Sequence, residues 1–250
     1  MTGTLPAGME LFDVHRLRLV EGEAPTLSAE HEAARDQVWE MAVAANPTLF
    51  DGPGGGCAEL RWEEPDTLFL RWAAVTYRHY ALRRVPGGEA LPSLFVNVVQ
   101  PTDDGRVLVA RMSSATAAPG RWQLPGGSVE PPREGGMLDE GGLRGQAARE
   151  LAEEIGVEAK PDELRLWAAT QGENSSVGLT FLAPALPESK LRQRFATVVT
   201  AERAAGREPE LDVIELMRSP HELADLARPH ADYLEPILRR YAAATLGPGT

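Results

Sequence analysis

One cysteine, Cys57, occurs among the 250 residues. No disulfide can form within the chain, and a cysteine-rich zinc cluster is excluded. The five histidines are scattered and none falls in an HExxH pattern, which removes the usual zinc-protease helix. Positive charge is also scarce: 25 Lys and Arg stand against 37 Asp and Glu, a formal net charge of -12. A sequence-independent nucleic-acid binder needs a basic surface, as does a protein that adsorbs to anionic lipid, so neither partner is expected. Long apolar runs are missing too. The longest fall far short of the roughly 20 residues that span a bilayer. The opening stretch, MTGTLPAGMELFDVHRLRLV, has no basic region followed by an apolar core and does not read as a secretory signal. A soluble, cytoplasmic protein is the expectation, as monomer or homodimer.

The chain is long enough for one large domain or two small ones. LFDVHRLRLV alternates as a strand does. Ser28 is placed to cap a helix over AEHEAARDQVWEMAVAA that ends at Asn46-Pro47. FDGPGGG reads as a loop, CAELRWEE and TLFLRWAAV as strands, and TYRHYALRR as a short helix. Val85–Pro92 is the best boundary candidate, which divides the chain into residues 1–88 and 89–250. Beyond it SLFVNVVQ predicts a buried strand, Thr102–Gly105 a hairpin turn and RVLVARM the returning strand. DELRLWAATQG and VGLTFLAPAL predict strands around the loop Glu173–Ser176. A helix over ESKLRQRFATVVTAERAA, a short strand DVIELM and two helices, near HELADLA and from about Pro229 to Ala243, complete the pattern. Strands and helices in this order suggest an α/β or α+β sandwich rather than a doubly wound nucleotide-binding sheet.

The chemically suggestive stretch is RELAEEIGV, Arg149–Val157. On a helix, Glu150, Glu153 and Glu154 share one face, and like charges at that spacing repel by a few tenths of a kcal/mol per pair, on the order of what host peptides show. Leu151 and Ile155 fall on another face, and Gly156 suits a left-handed C-terminal cap. Taken alone, the stretch is either a solvated acidic face or a cradle for hard divalent cations, which prefer carboxylate oxygens.

With its upstream context, WQLPGGSVE followed by a Gly-rich connection and GQAARELAEEIGV, the stretch resembles the Nudix box, the strand–loop–helix signature of Nudix hydrolases. The matching positions are Gly126, Gly127, Arg149, Glu150, Leu151, Glu153, Glu154, Gly156 and Val157. One feature departs from the family pattern. Gly127 and Arg149 are 149 − 127 = 22 residues apart, about eight more than the box has, and the excess lies in PPREGGMLDEGG. It is expected to lengthen the loop before the helix and not the helix. Glu134 and Glu140 compete for the role of a further box glutamate.

The resemblance implies a Nudix α/β/α sandwich over residues 89–250, with residues 1–88 as a mixed α/β extension packed on it. It implies cleavage of a nucleoside-linked diphosphate with Mg2+ or Mn2+, metal ligands at Glu150, Glu153 and Glu154 with a backbone carbonyl near Gly126, and Arg149 orienting the glutamates. Glu210 and Glu173 are the candidates for a general base outside the box, with Glu208 near the first, and a box glutamate is the other choice. NPTLFDG, LFLRWAAVTYRHYALRR and GENSSVGLTFLA resemble the branch holding the UDP-glucose/UDP-galactose diphosphatases, which implies release of UMP and a sugar 1-phosphate. Phe50, Tyr77, Arg78 and Tyr80 are candidates for the base-binding wall and Asn174 and Ser175 for the sugar or phosphate; core packing or loop chemistry explains each as well. Trp122 and Trp167 are expected in the core. Rival substrates are ADP-ribose, CoA and (d)NTPs, and a rival class is a Nudix-fold nucleotide sensor without catalysis.

Overall fold

The computed structural model describes residues 9–63, 66–132 and 136–246. LFDVHRLRLV forms two strands rather than one, β1 (Glu10–Phe12) and β2 (Arg16–Glu21). The break falls where Val14 drops into the core at 2% exposure. The predicted helix over Ala29–Ala45 forms as α1. The Ser28 side chain accepts from the His31 N–H, and Asn46 ends the helix. No residue of α1 is buried. It lies against a 3-10 helix, Tyr77–Arg84, through Trp39 and Tyr77, whose ring centroids are 6.0 Å apart.

FDGPGGG is only partly the loop it was read as. Pro53 opens β3 (Pro53–Glu63), which pairs with β4 (Thr67–Thr76). Gly55 and Gly56 also pair with Leu94 and Ser93 of β5 (Ser93–Val99). A Cβ on Gly56 would come 2.7 Å from the Leu91 Cβ. The glycines serve a close approach between chains in the middle of a sheet, which overrides their turn preference.

Along β5, Leu94, Val96 and Val98 enter one core while Val99 and the partly buried Phe95 enter a second. A strand covered on both faces reads as a continuous apolar run, as this one does. Its edges are taken as well: β10 (Val177–Leu182) pairs parallel on one side, and β3 and β8 (Gly126–Ser128) pair antiparallel. This limits the expected hairpin to its turn end, where Pro101 bridges antiparallel to Val107 and the Leu108 N–H donates to the Gln100 carbonyl at 3.0 Å. Thr102–Gly105 does turn, with the Gly105 N–H donating to the Thr102 carbonyl at 3.0 Å. The returning strand β6 (Val107–Met112) finds no free edge on β5. It joins β7 (Trp122–Gln123) and β11 (Leu211–Met217) in a separate sheet.

The large sheet runs β1-β9-β10-β5-β3-β4-β2, where β9 is Arg165–Gln171. A flat sheet of that order would hold its edge strands about 29 Å apart, at about 4.8 Å per neighbour. Yet β1 and β2 are joined by three residues, Asp13–His15, which reach no more than about 15 Å. The sheet is therefore curled.

Helix α2 (Glu140–Ile155) carries Leu143, Ala147, Leu151 and Ile155, all with no exposed surface, into the first core. Leu191 and Phe195 of α3 (Glu188–Ala204) join them. On the opposite face α4 (Leu234–Leu246) packs Leu234, Ile237 and Leu238 with Trp122 and Trp167, which are core residues as expected. The result is the mixed α/β sandwich the sequence predicted. Two boundaries differ. The insertion extends the helix as well as the loop: Asp139 caps α2 through the Gly142 N–H at 2.7 Å, so Glu140–Gly142 are helical. At the C-terminus HELADLA forms a 3-10 helix, Pro220–Asp225, and the last helix starts at Leu234 rather than near Pro229. The backbone of Pro229 and Ala231 is occupied in hydrogen bonds to Trp122. No helix of the described residues is long and apolar enough to cross a membrane.

Candidate functional site

The Gly126-Gly127 pair seats the glutamates of α2. Gly126 has φ +150°, and a Cβ there would come 2.2 Å from the Val96 carbonyl oxygen. No other residue fits. This close approach turns the Gly126 N–H onto Glu154, where it donates to Oε2 at 2.8 Å. A Cβ on Gly127 would meet the Glu150 carboxylate at 2.8 Å. Two of the three helix glutamates thus rest on the glycine pair, while the third, Glu153, keeps 65% of its side chain in solvent.

The electrostatics are those of carboxylates lacking positive partners. Glu154 is 5% exposed, and its Oε1 has no hydrogen-bond partner. Burial holds its pKa well above the ordinary carboxylate value; Glu210 and Glu150 raise it further, against the Gly126 N–H. Burial also lifts Glu150 to about 7. The Arg149 guanidinium opposes that shift, and Glu210, Glu153 and Glu130 add to it. Glu210 keeps much of its surface open to solvent. Its carboxyl nevertheless stands within the walls of a cleft, and that enclosure, with Glu153, raises its pKa. Arg149 spans the cluster at 3.0 Å from Glu130, 3.8 Å from Glu150 and 4.0 Å from Glu153.

Glu130 was missed by sequence reasoning. Its backbone is clamped by the Gln146 side chain, which accepts from its N–H at 2.9 Å and donates to its carbonyl at 2.8 Å. It stands just before the insertion, and the displaced spacing drew attention downstream. Of the two acids weighed there, Glu140 is engaged by Arg144 four residues on, and Glu134 lies outside the described residues. The signal that would have found Glu130 was its place two residues after the Gly126–Ser128 strand.

Glu150 and Glu153 open into a cleft of about 960 Å³, with the buried Glu154 behind them, at the upper end of the range for small-molecule sites. The N-terminal segment supplies one wall, with Phe50, Tyr77 and Tyr80; Glu210 and Glu208 stand on another. Phe50 is 76% exposed, so it is not a core residue. Arg78 does not reach the cleft. Its guanidinium is held by Asp51 at 2.8 Å and Asp36 at 3.5 Å. Asn174 lines the cleft and Ser175 does not; Ser176 does, with its hydroxyl 2.8 Å from that of Ser93. Asn174 and Ser175 both have positive φ, which tightens this loop. Glu173 lines the same cleft beside Arg121, at 3.9 Å, and Glu210 is the acid that Glu153 acts on and that in turn raises Glu154. Arg83, Arg121 and the buried Asn97, whose amide has no partner, also line it and were not singled out in the sequence.

Among the described residues no three His, Cys, Asp or Glu side chains converge as a ready-made metal cage. The donor set still fits a hard divalent cation. It offers carboxylate oxygens, one of them buried without a partner, and Glu153 is exposed and can turn toward the others.

The family model of the NUDIX domain matches residues 93–241. No curated protein sequence matches the chain. Solved structures with a similar fold include the MutT protein from Methanosarcina mazei, at 18% identity and TM-score 0.40, covering 60% of this chain and 93% of that one. The NUDIX domain of Shewanella oneidensis NrtR, complexed with ADP ribose, is 17% identical with TM-score 0.40, covering 69% and 100%. The E. coli ORF135 protein is 21% identical with TM-score 0.35, covering 62% and 89%.

Proposed function

The chain belongs to the Nudix family and is a pyrophosphate-cleaving hydrolase, and from that premise we propose that its substrate is a nucleotide-sugar, UDP-glucose or UDP-galactose, cleaved to UMP and a sugar 1-phosphate. The observation that carries this reading is the cleft. It joins the glutamate cluster to an aromatic wall contributed by the N-terminal segment and to the polar loop at Asn174. A nucleotide-sugar needs these three surfaces: carboxylates with cations for the diphosphate, rings for the base and polar groups for the sugar. The uridine and hexose assignment draws on the resemblance of the N-terminal motifs.

Glu150, Glu153 and Glu154, with the Gly126 carbonyl, are the proposed ligands of Mg2+ or Mn2+. When bound, such an ion supplies Lewis-acid neutralisation of phosphate charge. The chain's own residues do the positioning. The Gly126 N–H holds the Glu154 carboxylate in one orientation. Arg149 links Glu130 to Glu150 and keeps the exposed end of the cluster from splaying. Glu210 is the preferred general base, because it lines the cleft together with Glu153 and its enclosure there, with Glu153, raises its pKa above the ordinary carboxylate value. Glu173 stands beside Arg121 and Asp232 instead, whose backbone-bound carboxylate fixes that loop.

The test is product identification by mass spectrometry. The protein is incubated with Mg2+ and equimolar UDP-glucose, GDP-mannose, ADP-ribose, CoA and dNTPs, with an EDTA control. UMP and hexose 1-phosphate should appear first and only with metal. Faster loss of another compound would retain the hydrolase and overturn the substrate. No metal-dependent product would point to a substrate outside the mixture or to a nucleotide sensor.

A further inference from the structure

Of the three arginines on the 3-10 helix Tyr77–Arg84, Arg84 is exposed and does not line the cleft, and the other two have opposite surroundings. Arg78 is neutralised by Asp51 and Asp36. Arg83 lines the cleft, and among the described residues no carboxylate lies within 4.0 Å of it. It is nonetheless held in place. Its guanidinium carbon sits 4.7 Å from the centre of the Tyr80 ring. Tyr80 is fixed in turn: its hydroxyl donates to the Gly55 carbonyl at 2.9 Å, and its ring meets Tyr77 and His79 edge-on at 5.9 and 5.8 Å. His79 accepts the Leu91 N–H at 2.8 Å, which ties the platform to the strand that follows. A cation mounted on an immobile aromatic keeps its five donors facing outward at little entropic cost.

Arg121 lines the same cleft, as does Asn174. Its nearest carboxylates, on Glu173 and Asp232, are 3.9 and 4.0 Å away. The Asp232 carboxylate is already committed, accepting the Glu173 N–H at 2.6 Å and the Tyr233 N–H at 3.0 Å. Glu173 also acts on Arg83, and Tyr77 feels both Arg83 and Glu210. The charges thus run in sequence around one cleft, from the acidic cluster through Glu210 and Tyr77 to Arg83 and Arg121, which share Glu173 as a neighbouring acid.

We propose that Arg83, with Arg121 beside it, is an anion grip that takes a phosphoryl oxygen of a nucleoside-diphosphate ligand at the end of the cleft away from the glutamate helix, so that the N-terminal segment is a substrate-binding element of the enzyme. The grip rests on the nucleotide-diphosphate reading above. A planar guanidinium can hold a phosphoryl group by two parallel hydrogen bonds, which a lysine cannot reproduce. The glutamates and their cations address the diphosphate from one side, and the arginines from the other. This division fits an arginine, Arg83, that has no carboxylate within 4.0 Å among the described residues of an acidic chain.

The test is titration calorimetry of the full chain with UDP and with uridine, both in EDTA so that the glutamate cluster takes no part through metal. Arg83→Met keeps the stem on Tyr80 and removes the charge; Arg83→Lys keeps the charge and removes the fork. UDP affinity should fall about tenfold or more in the Met variant and less in the Lys variant, with uridine affinity unchanged. In turnover, KM should rise with kcat nearly constant. Wild-type UDP affinity in the Met variant overturns the grip, as does equal loss of UDP and uridine, which would mark a collapsed aromatic wall. Failure of wild-type protein to bind UDP overturns it as well. The two readings separate cleanly: wild-type turnover with an unchanged KM in the variant defeats the grip alone, whereas Arg83-dependent UDP binding without turnover of any diphosphate defeats the hydrolase substrate and leaves the grip.

Discussion

The two ends of the cleft handle charge in opposite ways. At the helix end, Glu150, Glu153, Glu154 and Glu210 are gathered with a single arginine, and burial lifts the pKa of three of them. At the N-terminal end, Arg83 has no carboxylate within 4.0 Å among the described residues and Arg121 has only long contacts, at 3.9 and 4.0 Å, while Arg78, five residues before Arg83, is neutralised by two. Charge buried without a partner destabilises a fold, which applies most to the enclosed carboxylates of the helix end and less to Arg83, which is exposed. The protein therefore carries two deficits, one of positive charge and one of negative charge, facing each other across one cavity. A ligand with cations at one end and phosphoryl oxygens at the other relieves both.

The largest break in that comparison comes at the acidic end. Glu153→Gln and Glu154→Gln should each lower metal-dependent turnover by more than about 100-fold, since even outer partners of metal ligands cost 10- to 100-fold. Both should melt close to the wild type or above it in EDTA, because each removes a carboxylate that its neighbours repel. Initial rates at saturating Mg2+ with parallel melting curves check this. Wild-type rates in either variant would remove the glutamates from the site.

Next in size is a pH dependence of the metal-free protein. Glu150 binds its proton more tightly folded, with a pKa of about 7, than unfolded, where the ordinary value is near 4.5. The folded state therefore holds more protons between those values, and stability falls as pH rises. The contribution is whole below about pH 4.5 and lost above about 7; the shift amounts to on the order of 3 kcal/mol. Glu154 shifts the same way. In EDTA the melting temperature should decline across that window. Glu150→Gln should flatten the decline, and added Mg2+ should raise stability most at the alkaline end. A flat profile in EDTA for the wild type would mean that the helix end carries no deficit.

These ends were unequally legible in the sequence. The glutamate helix was readable because its chemistry is local: Glu150, Glu153, Glu154 and Arg149 lie within one and a half turns, and the periodicity that aligns the acids also buries Leu151 and Ile155. The cap residues Ser28 and Gly156 were readable for the same reason. Arg83 was not, because its role depends on what is missing around it, and an absent partner leaves no mark in a sequence. Arg78, the more prominent candidate in the same stretch, is bound by Asp36 and Asp51, 42 and 27 residues earlier. The hairpin at Thr102–Gly105 forms only at its turn end, through Pro101 and Val107, on similar grounds. The turn is local, but whether β6 pairs with β5 depends on β3, β8 and β10 having taken both edges first.

The smallest expected effect concerns how the two ends are joined. The grip requires that the N-terminal segment move with the core, and we propose residues 1–88 to be an extension packed on the domain at 89–250 rather than an independent unit. Cys57 can report on this. Its thiol is 5% exposed in β3, between β4 and β5, and burial pushes its pKa up to about 11, so a native chain offers almost no thiolate at pH 8. Labelling by an alkylating reagent then needs an opening of β3. If β3 opens only when the whole sheet does, the free energy from labelling rates should equal that from denaturant unfolding followed by tryptophan fluorescence, and a bound nucleotide should slow labelling as much as it raises global stability. If labelling instead reports a much smaller free energy, the N-terminal strands open by themselves. Arg83 would then sit on a mobile wall, and nucleotide should protect Cys57 only by the differential affinity that closing the wall supplies.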